Sequence, residues 1–335
     1  MERVGGKNLL LPLLFLKKFI RLASLLFAVC ILSFFLVNKS PVDPIQAYVG
    51  ADMMRVGPEQ REKIAEHWGL DKTPVEQFYH WSSAIVRGDF GTSMIYRQPV
   101  LDVIKDKFIY SFALMLAAWI LSGVIGFLLG IIAAVKRDSW IDRLIKLYCY
   151  TLASTPAFWI GILLLLIFAV GLGWLPIGLG VPAGVLTEEV TVIDRVRHFI
   201  LPAITLSIVG VVNVALHTRQ KLIDVLQSDY VLFARARGEK GFSLIWRHGI
   251  RNIALPALTL QFAAFGELFG GAVLVELVFS YPGLGQATVE AGLRGDVPLL
   301  LGLVIFSTLF VFIGNLLADL IYLVVDPRTK EREAI

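Results

Sequence analysis

The chain has 335 residues, 56% of them hydrophobic and only 17% charged. Soluble domains carry about 25% charged residues, and the mean hydropathy here is +0.72, which excludes an ordinary soluble domain and points to an all-α integral membrane protein. The formal net charge of +4 reads as loop charge obeying the positive-inside rule, so no nucleic-acid partner is expected.

A helix needs about 20 apolar residues to cross a bilayer. Six stretches qualify: Phe19–Val37, Phe108–Val135, Leu144–Val170, Phe199–Leu216, Leu255–Phe279 and Leu299–Val325. An even number puts both termini on one side. With the N-terminus inside, the inner segments hold 19 of the 31 lysines and arginines. The two short outer loops hold three, Arg195, Arg197 and Arg294. The other nine lie after the first span, balanced by ten acids, and long translocated segments escape the rule. Both termini are therefore expected in the cytoplasm. Residues 1–37 form the N-terminus and first transmembrane helix, and 38–107 an extracytoplasmic insert. Residues 108–325 form a five-helix core with a cytoplasmic loop at 219–254, and 326–335 a cytoplasmic tail. Lys17, Lys18 and Arg21 ahead of an apolar run resemble a signal peptide, but no small-residue cleavage site follows, so a retained anchor is expected.

The insert carries helix signals. Pro58, followed by Glu59 and Glu62, starts one helix that ends near Gly69. Thr73-Pro74-Val75-Glu76 is a capping-box pattern that starts a second helix, carrying Phe78, Trp81, Ile85 and Val86 and stopping at Arg87-Gly88. Arg87–Ser93 is a turn-rich link.

Ionisable groups inside a span cost about 2.5–3.5 kcal/mol at the centre on insertion scales, so each invites a functional reading. Glu267 follows Pro256 by 11 residues and falls near the midplane. It could line a polar pathway or pair with a cation of another subunit; a hydrogen-bonded acid at a helix interface is the plain alternative. Glu276 falls near the outer end and is expected at the interface. Asn213, His217, Asn315 and Asp319 are explained by helix–helix hydrogen bonds. Ser154-Thr155-Pro156 interrupts the third span, where Pro156 should kink the helix while the hydroxyls satisfy freed backbone groups. Such a kink can serve as a gate. Cys30 and Cys149 lie in apolar runs, which argues against a disulfide or a metal site.

The most informative stretch is Asp229–Pro256, DYVLFARARGEKGFSLIWRHGIRNIALP. Ser228 or Asp229 suits an N-cap, and Asp229 favours the positive helix end. Arg235 and Arg237 suit the last turn around Ala236, and Gly238 suits the C′ position. A helix of about nine residues is marginal alone, since isolated helices need about 12–15; it should be stable only when docked. Tyr230, Phe233 and Ala234 share a face that could supply the contact. A second segment covers Phe242–Asn252, and Pro256 opens the next span at a first-turn position.

No phosphate loop, zinc-protease helix or nucleophile elbow is present, and no nucleophile is paired with a base. If ATP energises this protein, hydrolysis belongs to another chain, and no cofactor is expected on this one.

Ala-Arg-Ala-Arg-Gly at 234–238, Arg247, His248, Arg251 and Asn252, then Leu255-Pro256, resemble the coupling loop of binding-protein-dependent ABC importer permeases of the peptide/nickel branch. Gly88-Asp89-Phe90-Gly91, Ser154–Trp159, Leu172–Pro176, Val278–Gly285 and Asp326-Pro327-Arg328 follow in the family's order. The likeness covers nearly the whole chain. Two departures stand out: Ala234 where the superfamily motif has glutamate, and Glu-Lys-Gly at 239–241 where a Leu-Ser pair is usual. The resemblance implies a prokaryotic inner-membrane subunit pairing with a second, homologous permease. Two cytoplasmic ABC ATPases would bind below it and an extracytoplasmic solute-binding protein above. It also implies that Asp229–Gly238 couples to an ATPase, and that the solute is a di- or oligopeptide, nickel or a metal chelate. A stand-alone secondary transporter or channel, with Glu267 as coupling acid, is the competing expectation. An intramembrane enzyme is disfavoured, since no catalytic constellation is visible.

Overall fold

A computed structural model describes residues 7–39, 45, 49, 57–67, 71–186 and 188–325. Among these the regular structure is helical, with one isolated antiparallel bridge between Thr92 and Pro99. The helices are α1 (Lys7–Asn38), α2 (Pro58–His67), α3 (Pro74–Val86), α4 (Val100–Val135) and α5 (Trp140–Ala153). Next come α6 (Ala157–Leu164, continued by a π-helical stretch Leu165–Gly171), α7 (Val192–Leu226) and α8 (Asp229–Ala236). After α9 (Gly241–Leu244) a π-helical stretch, Ile245–Ile250, runs into α10 (Arg251–Ala263). Then follow α11 (Phe265–Val278), α12 (Leu284–Arg294) and α13 (Val297–Val325). The expected tail at 326–335, with Asp326-Pro327-Arg328, lies outside the described residues.

Three helical stretches are long and apolar enough to cross a bilayer: Lys18–Leu36, Val100–Val135 and Val297–Leu320. Three more candidates are bent pairs: Trp140–Ala153 with Ala157–Gly171, Val192–Ile208 with Gly210–Leu226, and Gly241–Ala263 with Phe265–Val278. The six apolar stretches of the sequence coincide with these.

Two expectations change in detail. At Ser154-Thr155-Pro156 the chain does not merely kink. α5 ends, α6 restarts, and their axes differ by 107°. Proline lacks the amide hydrogen that would continue the ladder, and the hydroxyls take over the last carbonyls. Ser154 Oγ donates to the Tyr150 carbonyl at 2.9 Å, and Thr155 Oγ1 to the Thr151 carbonyl at 2.7 Å. Pro256, in turn, does not open a helix. It lies inside α10, because the helical path already begins at Gly241, and the break falls instead after Ala263, with a 51° bend into α11.

The described residues divide into two compact units. The first comprises residues of Met1–Phe108 and Ala287–Phe312. The capping box of α3 is formed there. Glu76 N–H donates to Thr73 Oγ1 at 3.4 Å, and Thr73 N–H donates to Glu76 Oε2 at 3.0 Å. These bonds from Thr73, backbone first, hold the Glu76 carboxyl below its ordinary range. α3 stops as expected, with Arg87 as C-cap and Gly88 at φ +84°. The turn beyond it is anchored by the buried Asp296, which accepts from Ser93 Oγ at 2.6 Å, Ile95 N–H at 3.0 Å and Leu299 N–H at 3.1 Å. Tyr96, whose hydroxyl is pushed up to about 12 mainly by burial, stays protonated and donates to Glu290 at 3.1 Å.

The second unit comprises residues of Ile109–Gln286 and Ile313–Ile335. Its α4–α7 contact is built on small residues. Ser122, Gly126 and Gly130 recur every four residues and share one face of α4. A Cβ at Gly126 would lie 2.8 Å from the Val211 carbonyl oxygen, and one at Gly130 would lie 2.6 Å from that of Ala215. Only small residues permit such an approach, which in a bilayer replaces hydrophobic driving force with close packing. α4 and α10 are tied by a reciprocal polar pair. Gln261 Nε2 donates to the Trp119 carbonyl at 2.6 Å, and Trp119 Nε1 donates to the Gln261 carbonyl at 3.0 Å.

Candidate functional site

The loop after α7 builds a short, two-faced rod. Ser228 precedes α8 with extended backbone, as expected of an N-cap. Its hydroxyl, however, turns back to the Val225 carbonyl at 2.5 Å and accepts nothing from the α8 amides. Asp229, in the first turn, supplies negative charge at the positive helix end. Arg235 lies in the last turn, Ala236 ends the helix, Arg237 is the C-cap, and Gly238 follows at φ +95°. Glycine alone takes that backbone without strain. The helix has 8 residues, so its stability rests on what it touches.

The expected docking face splits in two. Val231 is fully buried and Ala234 is 6% exposed; both pack with Leu244 of α9 and the half-buried Val225 and Leu226 of α7. Ala234 is thus a seat on the chain's own core. A larger side chain there would have to displace Leu244 or the end of α7. Tyr230, Leu232 and Phe233 point outward, Phe233 being 66% exposed. Two further exposed aromatics, Phe242 and Trp246, stack with ring centroids 5.9 Å apart. Their spacing of four residues is the sequence signal that puts both rings on one helical face. Glu239 Oε2 meets His248 Nε2 at 3.1 Å and ties the turn after α8 to the next helical path.

Glu267 lies in the first turn of α11, three residues past the break at Ala264. It is exposed, with no hydrogen bond or ion pair among the described residues. It shares an open stripe of Ala263, Gly270, Leu274 and Leu277. Glu276 does not lie at an interface. It is buried, because its carboxylate serves the start of α12. Oε1 accepts from Ser111 Oγ at 2.5 Å, and Oε2 accepts from the N–H groups of Gly285 at 2.7 Å and Gln286 at 3.2 Å. Asn213, Asn315 and Asp319 are exposed and His217 is half-buried. Cys30 and Cys149 are buried free thiols, and no metal-holding cluster of His, Cys, Asp or Glu occurs among the described residues.

The chain matches two family profiles. Residues 126–331 match the binding-protein-dependent transport system inner membrane component, and residues 12–115 match the N-terminal membrane component of such systems. It is 34% identical over 307 residues to the oligopeptide transport system permease protein AppB of Bacillus subtilis (strain 168), covering 91% of this chain and 95% of the relative. It is 35% identical over 316 residues to the glutathione transport system permease protein GsiC of Escherichia coli (strain K12), covering 94% and 98%. Proteins of this kind are permeases and not enzymes; ATP hydrolysis lies on partner subunits. The apolar helices, the two profile matches and the near-full-length relatives together make one conclusion: this chain belongs to the binding-protein-dependent transport system inner membrane components, as a multi-pass ABC importer permease of the peptide/nickel type.

Proposed function

We propose that the chain crosses the membrane six times with both termini in the cytoplasm, pairs with a second homologous permease, and forms half of a solute path. In this reading two cytoplasmic ABC ATPases bind below and a solute-binding protein delivers from above. The chain itself carries no cofactor. α8 is the coupling element, and the observation that carries this is its two-sidedness. Val231 and Ala234 hold it from behind, while Tyr230, Leu232 and Phe233 are offered to a partner. Nucleotide-driven movement of the ATPase pushes the rod and biases the spans between two states.

The solute is a di- or oligopeptide in this reading. The relatives' names speak of oligopeptide and of glutathione, itself a peptide. Nickel or a metal chelate is the second candidate cargo. Glu267 lines the path or meets the second permease. A carboxylate facing lipid would cost several kcal/mol, so something polar must cover it. The break at Pro156 is a hinge of the third span. A stand-alone carrier using Glu267 is not favoured for a member of this family.

The test is reconstitution. The permease pair, its ATPases and its binding protein are placed in proteoliposomes, and uptake of a labelled peptide is followed with and without ATP. ATP-dependent uptake that requires the binding protein is expected. Uptake by this chain alone would refute the reading.

A further inference from the structure

The end of α7 is gripped on three successive turns, by α5, by α4 together with α10, and by α8. Arg219 is held by α5. Leu222 and Ile223 cluster with Ala134 at the end of α4 and Ile253 of α10. Val225 and Leu226 carry α8. The first grip is ionic. Arg219 Nε donates to Asp142 Oδ1 at 2.7 Å and Nη2 donates to Oδ2 at 2.8 Å, a two-point fork. Asp142 is fully buried and the Arg219 side chain is 14% exposed. The Asp138 N–H also donates to Asp142 Oδ2 at 3.0 Å, and Lys146 Nζ stands 3.7 Å from the same oxygen. One carboxylate thereby joins the α4–α5 turn, the start of α5 and the tail of α7.

This join lies on a mechanical line. α8 sits on Val225 and Leu226, and Arg219 is two turns back along the same helix. Asp142 is in the first turn of α5, and at the far end of α5 the chain breaks at Ser154-Thr155-Pro156 with its 107° bend. Shape-matched apolar packing would hold two helices as firmly as a buried ion pair. What the fork adds is direction, because planar bidentate geometry resists rotation and sliding where apolar contacts slip.

We infer that the Asp142–Arg219 pair is a positioning strut that passes displacement of α8 to the broken α5–α6 span, so that it sets how much solute moves per ATP. The inference rests on the reading of α8 as the ATPase contact. It assigns roles to one residue of α5 and one of α7, neither of them on α8 itself.

The experiment uses the complete transporter in proteoliposomes, with uptake and ATP hydrolysis measured on the same sample. Asp142→Asn and Arg219→Lys are compared with wild type, with subunit assembly read by co-purification. Arg219→Lys keeps the charge but lacks the fork, so it tests direction apart from charge. Both variants should assemble, hydrolyse ATP and move about fivefold less solute per ATP. The exchanged pair Asp142→Arg with Arg219→Asp should recover part of that ratio. Lower yield with an unchanged ratio would show a purely structural pair and overturn the inference, as would an exchanged pair no better than the single variants. If the wild-type complex shows no ATP-driven uptake, the coupling reading itself falls.

Discussion

Glu276 and Gly285 define the start of α12: the carboxylate Oε2 of Glu276 accepts the Gly285 N–H at 2.7 Å. An acid near the end of one helix caps the beginning of the next, satisfying amides that would otherwise be orphaned. The glycines of Pro282-Gly283-Leu284-Gly285 follow from this. A Cβ at Gly283 would collide with the Glu276 carboxyl at 2.2 Å, and one at Gly285 would lie 2.6 Å from Val273 Cα. Gly283→Ala should therefore destabilise the permease strongly. Glu276→Gln, which keeps the shape and loses the charge, should cost about 1.5–3 kcal/mol, the worth of a charge-assisted hydrogen bond. Thermal unfolding in detergent checks both, and an unchanged melting temperature for Gly283→Ala would contradict the cap.

At the end of α8, Gly238→Ala places a β-carbon on a backbone with φ +95° and should cost about 1 kcal/mol of local stability. Phe233→Glu should leave membrane insertion intact while lowering transport-coupled ATP hydrolysis at least about tenfold, because an apolar anchor worth a few kcal/mol is replaced by a charge. Wild-type uptake in both variants would remove α8 from the coupling path.

The capping box of α3 predicts a pH dependence. The hydrogen bonds from Thr73 lower the folded-state pKa of Glu76. Its stabilisation is then fully present above the unfolded value of about 4.5 and fades as pH falls through the lower folded value. The protection factors of the amides in the first turn of α3, taken relative to their intrinsic exchange rates, should fall as pH drops through that range. Thr73→Ala should lower them already at neutral pH and leave them independent of the Glu76 titration.

Glu267→Gln separates two roles for the exposed acid on α11. If the carboxylate lines the solute path, uptake should fall and its pH dependence change. If it only pairs with the second permease, co-purification of the two permeases should weaken instead. Unchanged behaviour in both assays would make the acid structural.

Much of this was legible in the sequence. The six apolar stretches, the Thr73–Glu76 box, the stop at Arg87-Gly88 and the αL glycine at 238 each rest on local chemistry, and local chemistry is written in consecutive residues. Three things were not legible. Glu276 looked like an interfacial acid because its partners, Ser111 and the α12 amides, are set by tertiary packing. Ala234 looked like part of the outward face because helical periodicity gives a face but not which way it turns. Pro256 looked like a helix start because the sequence does not announce the π-helical stretch Ile245–Ile250 that carries the helix into it. The Ser122, Gly126 and Gly130 spacing was readable as a small-residue face, but only the close approach of α7 gives it meaning.

Cysteine cross-linking from α8 tests the coupling claim most directly, using single cysteines at 233 and 234 on a background with Cys30 and Cys149 replaced. In the assembled transporter, the cysteine at 233 should cross-link efficiently to the ATPase subunit and the one at 234, turned inward, should not. A cysteine at 233 that reaches no ATPase, or that reacts in intact cells with a membrane-impermeant thiol reagent from outside, would contradict the account.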